Sequence, residues 1–395
     1  MLIYRQFDFF NKMEIWLPYG QVEVAVDIRA ENLADVLEPS SQKLDDESLH
    51  ERLNSIEIKE KSMMILSDLT MATLKVLKSF IDLQIEKGRS KDVVIAVRKN
   101  HLRAVKKTLE EKFANVIAIG EPLVTAGIAD GFQVRVPRAF SEHKRMIISE
   151  VSFDPLFGFS GGPVSLIKAI DLKFVEEAFK RRLDENPKPG SDTNAAWFAS
   201  RVAEEIGEFS SIEVLNTKGE VSDIFIGDMI DAHSKASKKL YESAKKVLHQ
   251  PARAIFMSLS DPSKSLTLSS SLKSLWNVMG GLGGKGMAVL LAECSEGLGS
   301  EALRLYVANR LNLDEFIKHG KYVEGLEDLL YLKNALQSHN IILISTLPNY
   351  YSETKLGLRT FKKASDALDY VINSLGARVK LHVIIDASNT LLMTE

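Results

Sequence analysis

Along most of the chain, short apolar runs that fit strands alternate with longer stretches whose apolar residues recur at helical spacing. Residues 13–28 (MEIWLPYGQVEVAVDI) predict two strands around Pro18-Tyr19-Gly20, because period-two alternation on both sides is broken by a proline and a glycine. A charged, serine-rich stretch (34–60) precedes the apolar run KSMMILSDLT (61–70), a strand that ends in Ser67, Asp68 and Thr70. From Met71 to Lys87 the residues Leu74, Val76, Leu77, Phe80, Ile81 and Leu83 mark an amphipathic helix, and Gly88 stands where a C-terminal cap would. Strand 93–97 (VVIAV), helix Leu102–Phe113 and strand 115–120 (NVIAIG) follow. This βαβαβ order predicts a parallel sheet.

After MIISEVSF (146–153), a glycine-rich turn at 158–162 opens a long helix through Leu166, Ile167, Ile170, Phe174, Val175 and Phe179. The punctuation Asn186-Pro187-Lys188-Pro189-Gly190 should end it. Helix 195–206, a hairpin around Thr217-Lys218-Gly219 and a polar helix from Asp228 to His249 lead to Pro251. Beyond it the alternation resumes, with strands at 254–260, 287–294, 340–346 and 379–386 and helices at 269–279, 300–310, 325–338 and 360–374. The expected fold is therefore α/β, with parallel or mixed sheets flanked by helices in two domains, residues 1–250 and 251–395.

Composition narrows the classes of function. At 45% hydrophobic and 26% charged residues, the chain can bury a core throughout. With 50 basic against 53 acidic residues, a net charge of −3, it carries no polyanion footprint, which argues against a nucleic-acid partner. Cys294 is the one cysteine and cannot form an internal disulfide; no run of eighteen apolar residues and no signal-peptide pattern occurs. The expectation is a cytoplasmic protein with no membrane association.

Two glycine-rich strings carry candidate chemistry. Gly158-Phe159-Ser160-Gly161-Gly162 satisfies the G-x-S-x-G string of a serine hydrolase elbow, but Asp154-Pro155-Leu156-Phe157 intervenes where a strand should run straight into the serine. The turn has two other readings: backbone N–H groups of Ser160, Gly161 and Gly162 presented to a phosphate or carboxylate at a helix start, or glycines kept for positive φ and close packing. Gly281-Leu282-Gly283-Gly284-Lys285-Gly286 contains G-x-G-x-x-G, yet a strand follows the glycines instead of preceding them, so a plain turn is expected. None of the eight histidines has metal-ligand spacing, and no metal site is expected. His101 and Asp68 lie at strand ends, where ligand contacts and helix caps both occur.

Several segments, taken together, resemble the nickel-pincer lactate racemase family from about residue 13 to 390. They are Leu17-Pro18-Tyr19-Gly20, Ser67-Asp68-x-Thr70, Phe157-Gly158-Phe159-Ser160-Gly161-Gly162, Gly227-Asp228-Met229-x-x-Ala232-His233, Glu296-Gly297-x-Gly299-Ser300-Glu301 and the closing Asp386. The resemblance implies two α/β domains with a site between them. Active members use a nickel-pincer nucleotide tethered to a lysine, which takes a hydride from lactate while two histidines exchange the hydroxyl proton.

Carried over residue by residue, the resemblance assigns proton transfer to His101, a substrate contact to Lys273 and loop contacts to Asp68 and Thr70. Asp154 stands where the second histidine is expected, and Met71 where an arginine is. The tethering lysine, two residues after Gly162, is Val164 beside Pro163, and the nickel-binding histidine falls on Lys180. The expectation is a lactate racemase-like protein with no cofactor, binding a small anionic molecule between its domains through Asp68, Thr70, Ser160, Gly161 and Gly162. An active 2-hydroxy acid racemase or epimerase using His101, Asp154 and Lys273 is one alternative. A noncatalytic protein with a protein partner is the other.

Overall fold

A computed structural model describes residues 4–7, 12–40, 42–109, 112–182 and 188–395. The helix expected over 102–113 is described as Leu102–Thr108, its residues 110–111 lie outside the described residues, and so do Asn186 and Pro187 of the expected punctuation. The chain forms two compact units, an inserted one (Ser41–Glu242) and a discontinuous one that joins Met1–Ser40 to Ser243–Glu395. The mixed α/β architecture agrees with the sequence expectation, but residues 1–40 do not stay with the N-terminal domain drawn at 1–250. Strand Leu33–Leu37 pairs in parallel with Leu381–Ile384, so the edge strand of the C-terminal sheet comes from the beginning of the chain.

The inserted unit is built on a six-stranded sheet in the order Glu220–Asp228, Ser210–Thr217, Lys144–Glu150, Ser62–Leu66, Val93–Val97, Val116–Ala118. All neighbours are parallel except the first pair, the hairpin expected around Thr217-Lys218-Gly219. Strand Ser62–Leu66 is central and buried at every residue, which explains its unbroken apolar run. Helix Met71–Glu86 packs Val76, Leu77, Phe80 and Ile81 into one core cluster. It starts in a capping box: the Thr70 hydroxyl accepts the Thr73 N–H, and the Thr73 hydroxyl accepts the Thr70 N–H.

The helix expected to run unbroken from the glycine turn is two helices, Gly162–Ile170 and Leu172–Arg181. Asp171 breaks it by taking an extended conformation and capping the second helix through the Lys173 N–H, 3.0 Å away. Likewise the polar helix expected to reach His249 stops at Ala244. Lys245–Leu248 then forms a strand paired with Leu391–Thr394.

The discontinuous unit has a six-stranded, wholly parallel sheet in the order Arg359–Phe361, Asn340–Ile344, Leu282–Leu291, Ala252–Met257, Leu381–Ile384, Leu33–Leu37. The predicted N-terminal hairpin is present as Lys12–Tyr19 and Val22–Arg29. Its buried Ile15, Leu17, Val26 and Ile28 share a core cluster with Ala254, Phe256 and Val289 of the sheet. The plain turn expected at 281–286 is instead mostly strand: residues 282–286 form the first half of Leu282–Leu291, with Lys285 at positive φ. No helix among the described residues is long and apolar enough to cross a membrane.

Candidate functional site

Loops at the carboxyl ends of Ser62–Leu66, Val93–Val97 and Lys144–Glu150 carry most of the residues singled out above, the edge where ligands bind in open parallel sheets. Asp68, Ser160, Gly161 and Gly162 meet in one polar network. Asp68 Oδ2 accepts the hydroxyls of Ser67 (2.6 Å) and Ser165 (3.2 Å) and the Glu150 N–H (3.4 Å). The Ser160 hydroxyl donates to the Glu150 carbonyl (2.9 Å) and accepts the Ser152 N–H (3.0 Å). Thr70 is spent on its helix cap.

The N–H groups of the glycine turn are taken up inside the chain. Ser160 N–H donates to the Ser152 carbonyl (2.7 Å) and Gly161 N–H to the Ser165 hydroxyl (3.2 Å). Gly162 N–H is shared by Ser149 Oγ (3.1 Å) and Glu213 Oε2 (3.0 Å). Pro163 has no N–H to offer. The N–H groups expected to face a bound phosphate or carboxylate instead meet partners within the chain, among them the Glu213 carboxyl reached from the buried strand Ser210–Thr217.

The glycines also have a packing reason. Gly161 and Gly162 take φ of +98° and +42°, and a Cβ on Gly162 would stand 2.8 Å from His233 Cβ. On Gly161 it would stand 2.8 Å from Glu213 Oε2 and 3.0 Å from His233 Nδ1. Two residues without side chains let the imidazole and the carboxyl approach the turn together. His233 Nδ1 faces Glu213 Oε2 at 3.9 Å and makes no hydrogen bond, while Nε2 lies 3.5 Å from the Ser237 hydroxyl.

Burial governs the protonation of this pair. It pushes the Glu213 carboxyl up to about 7, with repulsion from Asp68 adding to it and hydrogen bonds from Ser149, Ser211 and Gly162 opposing it. It pushes the His233 imidazole down to about 4. At neutral pH the imidazole is uncharged, and the carboxyl lies near the middle of its titration.

The remaining candidates are spread more widely. Asp154, 3% exposed, binds Lys168 Nζ at 2.6 Å and accepts the Leu156 and Phe157 N–H groups at 2.8 and 3.0 Å, so it anchors its loop. His101 is half-buried at the start of Leu102–Thr108. Lys273 is half-buried on Leu268–Met279, in the discontinuous unit. Beside Asp154, a cavity of about 540 Å³ is lined by Arg98, Lys99, Lys168 and Asp171 together with Asn100 and Ile119. Arg98, Lys99 and Lys168 make its lining mainly basic, Asp171 is its acidic member, and Lys168 also pairs with Asp154. Lys168, Glu213 and His233 were not among the candidates, although a lone glutamate in the strand SSIEVLNT was a visible signal.

Val164 and Lys180, the positions the resemblance sets against the tethering lysine and the nickel-binding histidine, carry neither group. Val164 is 2% exposed within the apolar face of its helix and has no amine. Lys180 Nζ pairs with Glu176 Oε1 at 2.8 Å on an exposed helical turn. Among the described residues, no three His, Cys, Asp or Glu side chains are grouped to hold a metal ion.

A two-unit α/β protein with its polar loops at the sheet's carboxyl edge is the class that fold and site define. Among solved structures, the chain is similar to the lactate racemase apoprotein from Thermoanaerobacterium thermosaccharolyticum, with TM-score 0.80, 16% identity, and coverage of 96% of this chain and 99% of that one. A protein from Thermotoga maritima gives TM-score 0.67 and 14% identity over 90% of this chain and all of that one. No family model and no curated protein matches the sequence. The chain has the lactate racemase fold.

Proposed function

We propose that this is a lactate racemase-like protein that works without the tethered nickel-pincer nucleotide and binds a small carboxylate or phosphate. The observation that carries the reading is the buried valine at position 164, which leaves the helix start without the amine the tether requires. The ligand is assigned to the cavity bounded by Arg98, Lys99 and Lys168, whose mainly basic lining suits a small anion. His101 follows Lys99 by two residues on the same turn. Soluble placement in the cytoplasm is part of the same proposal.

Calorimetric titration with the two lactate enantiomers and with inorganic phosphate tests it. Saturable binding of at least one of them, weakened tenfold or more by Lys99→Glu, is the expected result. Absence of binding to all three, or binding indifferent to Lys99→Glu, overturns the assignment of the ligand. Racemisation of lactate that depends on added nickel overturns the cofactor-free reading.

A further inference from the structure

A second cavity in the inserted unit, of about 650 Å³, is walled by Phe157, Phe159, Trp197, Ile230 and Tyr241, with His233 among its lining residues. Trp197 is 56% and Ile230 42% exposed, large apolar side chains left on the surface beside the opening. Aromatic walls favour a flat ring, which can meet them edge-on or offset, over a flexible chain. The two charged lining residues, Asp192 and Lys238, are opposite in sign and give the opening no preference for a charged ligand.

The cavity's polar groups are mostly committed. Ser191 and Ser200 hydroxyls donate to the backbone carbonyls of Lys188 and Ala196, and the Thr193 hydroxyl accepts the Ala196 N–H as a helix cap. The imidazole is different. Among the described residues its Nδ1, buried against Glu213, makes no hydrogen bond, and its Nε2 makes the long 3.5 Å contact with Ser237. An uncharged imidazole offers one ring nitrogen as an acceptor, and the ionised form of the Glu213 carboxyl behind Nδ1 favours the tautomer that leaves Nε2 in that role.

We infer that this cavity is a binding site for a small, uncharged, planar aromatic molecule that donates an O–H or N–H to His233. The ring lies among Phe157, Phe159, Trp197 and Tyr241, and the donor reaches the imidazole on the side of Ser237. This site is separate from the cationic cavity at Arg98 and Lys99, with which it shares no lining residue.

The test uses the full-length protein and two fluorescent probes of nearly the same shape, 2-naphthol, which has an O–H donor, and 2-methoxynaphthalene, which has none. Probe anisotropy is followed as protein is added. Expected are a saturable rise with 2-naphthol and binding of 2-methoxynaphthalene at least tenfold weaker. His233→Phe, which keeps the ring volume and removes the acceptor, should erase that difference. Trp197→Ala, at an exposed position that leaves the core intact, should weaken both probes severalfold. Equal affinity of the two probes, no saturation, or indifference to Trp197→Ala overturns the inference.

Discussion

Replacing Glu213 by Gln removes a buried ionisable group while keeping an oxygen to accept the Gly162 N–H and the Ser149 hydroxyl. The folded carboxyl titrates at about 7 against an ordinary value of 4.5. Folded protein therefore holds the proton more tightly than unfolded chain, and the associated stability is full below pH 4.5 and lost as pH rises through 7. At about 1.4 kcal/mol per pH unit, the loss amounts to about 3 kcal/mol. Glu213→Gln should match the parent near pH 4.5 and exceed it by about 3 kcal/mol at pH 8. Urea unfolding read by Trp197 measures this, because Trp16 and Trp276, the other tryptophans, belong to the discontinuous unit and can be changed to Phe in both proteins. A difference between parent and variant that does not change between pH 4.5 and 8 would refute the reasoning.

His233 gives the opposite slope. Its imidazole falls from 6.5 to about 4 on folding, so its contribution is present above pH 6.5 and lost as pH falls through 4; His233→Gln should gain stability relative to the parent as pH falls from 7 to 4.5, read by the same unfolding curves. Gly162→Ala combines φ of +42° with a Cβ 2.8 Å from His233 Cβ, and should cost about 2–4 kcal/mol in thermal or urea unfolding. Gly88→Ala, at φ of +68° but in open space, should cost only about 1 kcal/mol. Lys168→Met removes the Lys168 charge from the buried Asp154 carboxylate, which keeps the Leu156 and Phe157 N–H groups, and a loss of about 2 kcal/mol is expected, largely restored by the double variant Asp154→Asn/Lys168→Met.

Local pattern carried the strands and helices of the inserted unit well, since its central strands are unbroken apolar runs and its first long helix has both a period and a cap. What no local pattern carries is partnership across the chain. Leu33–Leu37 joins Leu381–Ile384, a pairing that depends on where the intervening chain returns rather than on any residue in either strand. The same limit applies to the candidate site. The glycine turn was legible as an anion site or as a packing device, and what the sequence could not show is that its neighbours are Glu213 from a distant strand, which takes the Gly162 N–H, and His233, whose ring the glycines admit. Asp154 and Thr70 look alike as loop polar residues in sequence, but both are occupied in holding loop and helix in place.

Intact-mass spectrometry with nickel analysis, on protein purified natively without added metal, tests the central claim most directly. The mass of the unmodified chain, with nickel far below one equivalent, is the predicted result. A covalent adduct of nucleotide size accompanied by stoichiometric nickel would contradict it, and would mean that a residue other than Val164 carries the cofactor.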